Sequence, residues 1–127
     1  MRQKLFWNRS KKTTCIVFAA LALWPCVTTA RPLQMRESTP AAKAIIHGDH
    51  AEYVIRFDGP VDHAASRMEI TQGNRIVQTL RPLGDSAVDV LFASSAVPPP
   101  GRYMLHWEAV SGDGALSNGD IPFTVEP

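Results

Sequence analysis

Cysteine is nearly missing from this chain. Among 127 residues there are two, Cys15 and Cys26, and both stand in the first 30. From residue 31 onward no thiol remains, which excludes a disulfide framework, a thiolate nucleophile and a thiolate metal site there. An excess of positive charge is missing too. The first 14 residues take five of the 13 Lys+Arg and none of the acidic residues. Residues 31–127 therefore hold eight basic against 12 acidic side chains, a net charge of −4. That balance lacks the basic footprint of a nucleic-acid binder and the polybasic patch that holds a protein to anionic lipid. No apolar run reaches the roughly 20 residues of a membrane-spanning helix, and no segment carries a helical stripe. There is no Gly-rich phosphate loop. Ser94-Ser95 has no attached histidine motif, and the carboxylates are scattered among strands and turns. These absences point to a binding module and not to an enzyme.

What is present begins with a leader. Arg2, Lys4, Arg9, Lys11 and Lys12 precede an apolar run from Cys15 to Val27, and the small residues Thr28-Thr29-Ala30 follow. A positive start, a short apolar run and a small-residue exit predict a secretory signal peptide over residues 1–30, cut near Ala30. A membrane anchor is the rival reading, but the run is short and Pro25 breaks it near its end. Cys26 invites a lipoprotein reading, for which Trp24 and Pro25 are poor preceding residues. The expected product, residues 31–127, is one exported domain with no membrane insertion after cleavage. A chain of about 100 residues buries roughly 60–70% of its unfolded surface, so without disulfides it must rest on its core.

The rest of the chain alternates. Residues 31–39 read as a short edge strand or an arm, with Leu33 and Met35 in alternation. Ala44-Ile45-Ile46 is apolar, and His47-Gly48-Asp49-His50 reads as a turn. Residues 52–57 place Tyr53, Ile55 and Phe57 on one face, ended by Asp58-Gly59-Pro60. Residues 66–71 pair Met68 with Ile70, Gly73-Asn74 turns the chain, and residues 75–80 form another strand. After Gly84-Asp85, Val88, Val90 and Phe92 share a face. Pro98-Pro99-Pro100-Gly101 makes a rigid connection. Tyr103, Leu105, Trp107 and Ala109 then lie opposite Met104, His106, Glu108 and Val110, and Ile121, Phe123 and Val125 alternate to the end. About seven short strands with turns every ten residues or so predict an all-β, antiparallel Greek-key sandwich or barrel, immunoglobulin-like but without its disulfide. Trp107 is the expected centre of the core, with Tyr103 beside it.

The C-terminal third, with Gly101, Tyr103, Trp107, Ser111, Asp113 and Gly119 at fixed spacing, resembles the signature of the CopC family of periplasmic copper-binding domains. Ser38-Thr39-Pro40-Ala41 is similar to that family's Ser-x-Pro-Ala, and Phe57-Asp58-Gly59-Pro60-Val61 to its Phe-Ser-x-Pro-Val. The resemblance spans most of residues 35–126. It implies a Greek-key β-sandwich in the periplasm, associated with copper resistance and homeostasis. The partners it implies are a copper ion and a periplasmic or inner-membrane protein.

The family's Cu(II) site, as the resemblance implies it, uses a histidine at the mature amino terminus through both amine and imidazole. An aspartate and a histidine two residues further on, in the C-terminal loop, complete it. Asp113 matches the aspartate, Ala115 stands at the second histidine, and the expected terminus Arg31-Pro32-Leu33 has no first one. The copper site is therefore expected to be incomplete. Some members carry a Met-rich loop for Cu(I); the corresponding Gln72-Gly73-Asn74-Arg75 has no methionine, and soft Cu(I) needs sulfur donors.

Other residues offer alternatives. His47 and His50 flank Gly48-Asp49, and two imidazoles with a carboxylate suit Cu(II) or Zn(II); an exposed polar turn explains them as well. His63 follows Asp62 in a loop and serves a metal only if the fold brings that loop to Asp113. His106 lies beside Glu108 on the face opposite Trp107, where alternation expects solvent. Asp113 itself also reads as a turn residue, since Asp-Gly is a common tight-turn pair, and that reading suffices without metal. The alternative to a copper domain is a metal-free protein-interaction module on the same sandwich.

Overall fold

Alternation decides the architecture. In the computed structural model, which describes residues 30–127, the apolar faces expected around Tyr53, Met68, Tyr103 and Ile121 are the buried ones. The expected signal peptide falls outside the described residues, apart from Ala30. Eight strands form: β1 Met35–Thr39, β2 Ala44–Ile46, β3 His50–Phe57, β4 Arg67–Gln72, β5 Arg75–Leu80, β6 Val90–Ala96, β7 Gly101–Val110 and β8 Leu116–Val125. One sheet has the order β1-β3-β6 and the other β2-β8-β7-β4-β5. The chain leaves the β4–β5 hairpin, crosses to β6 in the opposite sheet and returns as β7 beside β4, a Greek-key path. The two sheets stay separate, so the fold is a sandwich and not a closed barrel. No helix among the described residues is long and apolar enough to cross a membrane.

Three departures from the expected pattern have simple causes. β2 is a strand in its own right and pairs in parallel with the end of β8, Ala44 opposite Phe123 and Ile46 opposite Val125, so the sandwich is not purely antiparallel. β8 starts at Leu116, well before the expected Ile121. Its inward positions there are Ser117 and Gly119; Gly119 is small because the Trp107 indole occupies the space opposite it, and neither residue leaves an apolar alternation to read. In β6 the buried residues are Leu91 and Ala93, which pair with inward Ile55 and Tyr53. Val90 and Phe92 take the outer face, and Val88 lies before the strand, exposed.

The core is aromatic where the sheets meet. Phe57 of β3 packs edge-on against Trp107 of β7, with ring centroids 5.2 Å apart at 67°. Such edge-to-face pairs add about 0.5–1.5 kcal/mol to simple burial. Tyr103 stacks on Phe123 at 5.8 Å. Its hydroxyl donates to the Pro99 carbonyl, tying the proline connection to the start of β7. Met68 and Ile70 are fully buried, as expected of isolated strand residues.

Trp107 faces Gly119 across the β7–β8 hairpin. A Cβ placed on Gly119 would lie 2.7 Å from Cζ2 of the indole, closer than real contacts allow. Alanine at 119 must push the largest core side chain off its seat. Gly119→Ala is expected to destabilise the domain by about 1–3 kcal/mol, the range for overpacking a well-filled core. Trp107→Ala should cost about 3–5 kcal/mol. Denaturant unfolding followed by circular dichroism measures both; a Gly119→Ala change within experimental error would show that the indole does not need that space.

Candidate functional site at the hairpin tip

β7 and β8 pair without a slip from Gly101 opposite Val125 to Val110 opposite Leu116. The midpoint of that register is Asp113, so strand pairing alone places this carboxylate at the tip. The loop closes on itself: the Ser111 amide donates to the Ala115 carbonyl at 2.8 Å and the Gly114 amide to the Ser111 carbonyl at 2.9 Å. Gly114 sits at φ +91°, a conformation that favours glycine. The Ser111 hydroxyl accepts from the Ala115 amide at 2.9 Å and donates to Oδ1 of Asp113. Oδ2 accepts from the backbone nitrogen of Arg31 at 3.2 Å. The Ser111 hydroxyl, and after it the Arg31 N–H, hold the Asp113 carboxyl below the usual carboxylate range. Asp113 is thus the turn residue that its Asp-Gly pair predicts and also a contact for the N-terminal arm.

The arm reaches the tip because Asp58 and Leu33 hold it. Leu33 is 7% exposed and enters the core. The Asp58 amide donates to the Gln34 carbonyl at 3.0 Å. In return the Gln34 amide donates to Oδ1 of Asp58 at 3.0 Å. Oδ2 accepts from the Arg31 guanidinium. The Gln34 N–H is the main cause that lowers the Asp58 carboxyl below its ordinary value. Partial desolvation opposes it, and the charges of Arg31 and Arg36 assist. The Asp58 side chain is 4% exposed and that of Arg31 72%. Asp58 is covered by the arm itself and not sunk in the interior, so water remains close and screens the pair. Arm and loops enclose a shallow cavity of about 380 Å3, lined by Arg31, Pro32, Leu33, Asp58, Gly59, Pro60, Ser111, Gly112 and Asp113.

The other candidates are not brought here. His50 opens β3 and Asp58 follows its end. Eight residues of strand, about 25 Å, therefore separate the His47–His50 turn from the arm site. His63 does come to the correct end, since Val61 bridges Ser111. Its Nε2, however, lies 2.8 Å from the Val90 carbonyl and 3.1 Å from that of Ala87. Two carbonyls only accept, so Nε2 carries the proton and the ring anchors a loop. His106 lies on the outer sheet face, with Nδ1 2.8 Å from Asp120 and Nε2 3.7 Å from Glu108. Partial burial opposes its charge, but Asp120 and then Glu108 outweigh this and raise its pKa. Ala115 is buried, and its side chain offers no metal donor. Met35 and Met104 are exposed and Met68 is in the core, so no thioether cluster forms among the described residues.

Among the described residues no group of three or more His, Cys, Asp or Glu side chains is placed to hold a metal. The donors that do converge are the Asp113 carboxylate and the Arg31 nitrogen, and the latter is a ready metal donor when it is a free amine. The sequence pointed to Asp113 but not to Asp58 or Arg31. Asp58 carried a strand-ending turn signal and a place in the Phe57–Val61 stretch of the resemblance, neither of which marks it as a site residue, and Arg31 carried only its place after Ala30.

Both carboxyls ionise more readily in the folded chain than their ordinary value of 3.8. Their stabilisation is therefore complete above that pH and is lost as pH falls through the lower, folded values. Asp58→Asn is expected to be less stable than the parent near pH 7, with the difference closing as pH drops below about 4. Thermal unfolding at a series of pH values tests this; a gap that stays constant into acid would mean that the carboxylate charge is not what holds the arm.

Comparison with known proteins bears on the whole domain. No curated protein matches the chain by sequence. The structure is similar to that of CopC from Methylosinus trichosporium OB3b, with a TM-score of 0.63 and 23% identity over 75% of this chain and 94% of that one. It is also similar to PcoC, a methionine-rich copper resistance protein from Escherichia coli, with a TM-score of 0.62 and 18% identity over 76% of this chain and 100% of that one. At such identities the likeness establishes the sandwich and no more. The CopC domain family, however, matches residues 35–126, which takes in every strand and the hairpin tip; the chain belongs to the CopC family.

Proposed function

We propose that this protein is exported to the periplasm, loses residues 1–30 on the way, and serves copper homeostasis as a binding domain with an incomplete Cu(II) site at Asp113. The observation that carries this reading is the 3.2 Å between the Arg31 nitrogen and Oδ2 of Asp113. Cleavage after Ala30 turns that nitrogen from an amide into a free amine. Two neighbouring donors each about 2 Å from one metal ion lie about 3 Å apart, so amine and carboxylate can share a copper ion. Nitrogen with oxygen is a donor pair for Cu(II), whereas Cu(I) seeks sulfur. Pro32 has no N–H to give up, so the next backbone nitrogen adds no donor. The remaining positions fall to water or to ligands from a periplasmic or inner-membrane partner. Such a site is shallow and labile, suited to passing copper on. The role is binding, not catalysis.

A second reading, a metal-free interaction module on the same fold, draws support from a specific feature. Both carboxylates already have partners in Arg31 and Ser111, and neither needs a metal to be satisfied.

Titration of the exported, processed protein with Cu(II) against a chelator of known affinity separates the two readings. The copper reading expects binding that weakens at least about tenfold, ~1.4 kcal/mol, in Asp113→Asn. It expects no change in the double variant His47→Ala/His50→Ala. Loss in the histidine variant alone would move the site to the other end of the sandwich. Binding no tighter than that of an unstructured histidine-containing peptide would establish the metal-free module.

A further inference from the structure

We infer that Asp58 is the positioning residue that docks the processed amino terminus on Asp113. The inference rests on the cleavage and the amine donor proposed above, and it assigns a role to a carboxylate that faces no metal.

The two oxygens of Asp58 take hold of the arm at two points. Oδ1 accepts the Gln34 amide and Oδ2 the Arg31 guanidinium. Between them Leu33 is seated in the core, with Gly59 beneath it: a Cβ at Gly59 would meet Leu33 Cδ2 at 3.3 Å. Pro32 fixes φ for the remaining residue. Four residues held at both ends and pinned in the middle leave the Arg31 nitrogen little freedom, and it is directed at Asp113. The link from arm to tip is the single bond from that nitrogen to Oδ2. One exposed hydrogen bond, worth about 0.5–1.5 kcal/mol net, does not order a chain terminus by itself. The ordering comes from Asp58. The same contact settles what the arginine does. Its guanidinium is drawn to Asp58, so the cation does not compete for Asp113 and the amine is the group presented there.

The experiment uses the full-length chain, exported and processed in a Gram-negative host, with its first residue read by mass spectrometry. It is expected to start at Arg31. In the copper-free protein, nuclear Overhauser contacts from Arg31 and Pro32 to Gly112 and Asp113 are expected, with a protected Gln34 amide. In Asp58→Ala those contacts should vanish. Gln34 should then exchange about tenfold faster or more, while core amides such as Leu105 and Ile121 keep their protection. Cu(II) affinity should fall about 10-fold or more, as when a group supporting a ligand is lost. The copper spectrum in electron paramagnetic resonance should lose its nitrogen coupling. Arg31→Ala leaves the Asp58–Gln34 pair intact, so Gln34 should stay protected while the terminal contacts weaken; this variant keeps the test informative if Asp58→Ala folds poorly. Terminal contacts that persist in Asp58→Ala with an unchanged core, or a processed chain that does not begin at Arg31, would overturn the assignment. A parent that shows the contacts but binds no Cu(II) would defeat the copper reading and leave the docking role of Asp58 standing.

Discussion

The seat of Trp107 over Gly119 is the constraint on which the loop end depends. The indole fills the gap between the sheets, meets Phe57 edge-on and requires a residue without a side chain across the hairpin. That requirement fixes which residue of β8 stands opposite which residue of β7. A slip of one position would turn every inward side chain of β8 outward. With the register fixed, the tip cannot be other than Asp113. The spacing between the tryptophan, the aspartate and the glycine in the sequence is thus the length of one hairpin measured from its core to its turn and back.

A second constraint meets the first at the same end of the sandwich. β3 runs out at Phe57, beneath the indole, and the next residue is Asp58. The side chain that packs the core and the one that grips the arm are therefore neighbours in sequence. The bridge between Val61 and Ser111 joins their loops. What results is a hydrogen-bonded cluster: two carboxylates, one guanidinium and one backbone nitrogen. Compared with the site implied by the family resemblance, the chain has a carboxylate at Asp113 and no histidine at residue 115 or in residues 31–33. On the proposed reading, donation to Cu(II) would be weaker than in that site, and the Arg31–Asp58 ion pair would share in holding it together.

Strands were legible wherever one face is buried and the other wet, as in β3, β4, β7 and the end of β8. There, alternation records burial directly. It failed where the inward residues are not apolar, at Ser117 and at Gly119, whose space the Trp107 indole fills from the opposite strand. It also failed for β2, too short to show a period. At the site, Asp113 was legible because hairpin spacing encodes it. Asp58 was not, since a carboxylate that grips an arm and one that merely ends a strand look the same in sequence. Leu33 and Met35 alternate alike, yet only Leu33 is buried; β1 carries an irregularity between Met35 and Glu37 that the sequence does not announce. The separation of His47 and His50 from Asp113 needed the direction of β3 and the pairing of the sheets.

The most direct test of the account is X-ray absorption at the copper edge of the processed protein loaded with one equivalent of Cu(II). The amine–carboxylate site predicts a metal surrounded by nitrogen and oxygen near 2 Å, without the outer-shell scattering that imidazole rings produce, and distinct from aqueous copper. Strong imidazole scattering would contradict it and place the copper on histidine side chains instead.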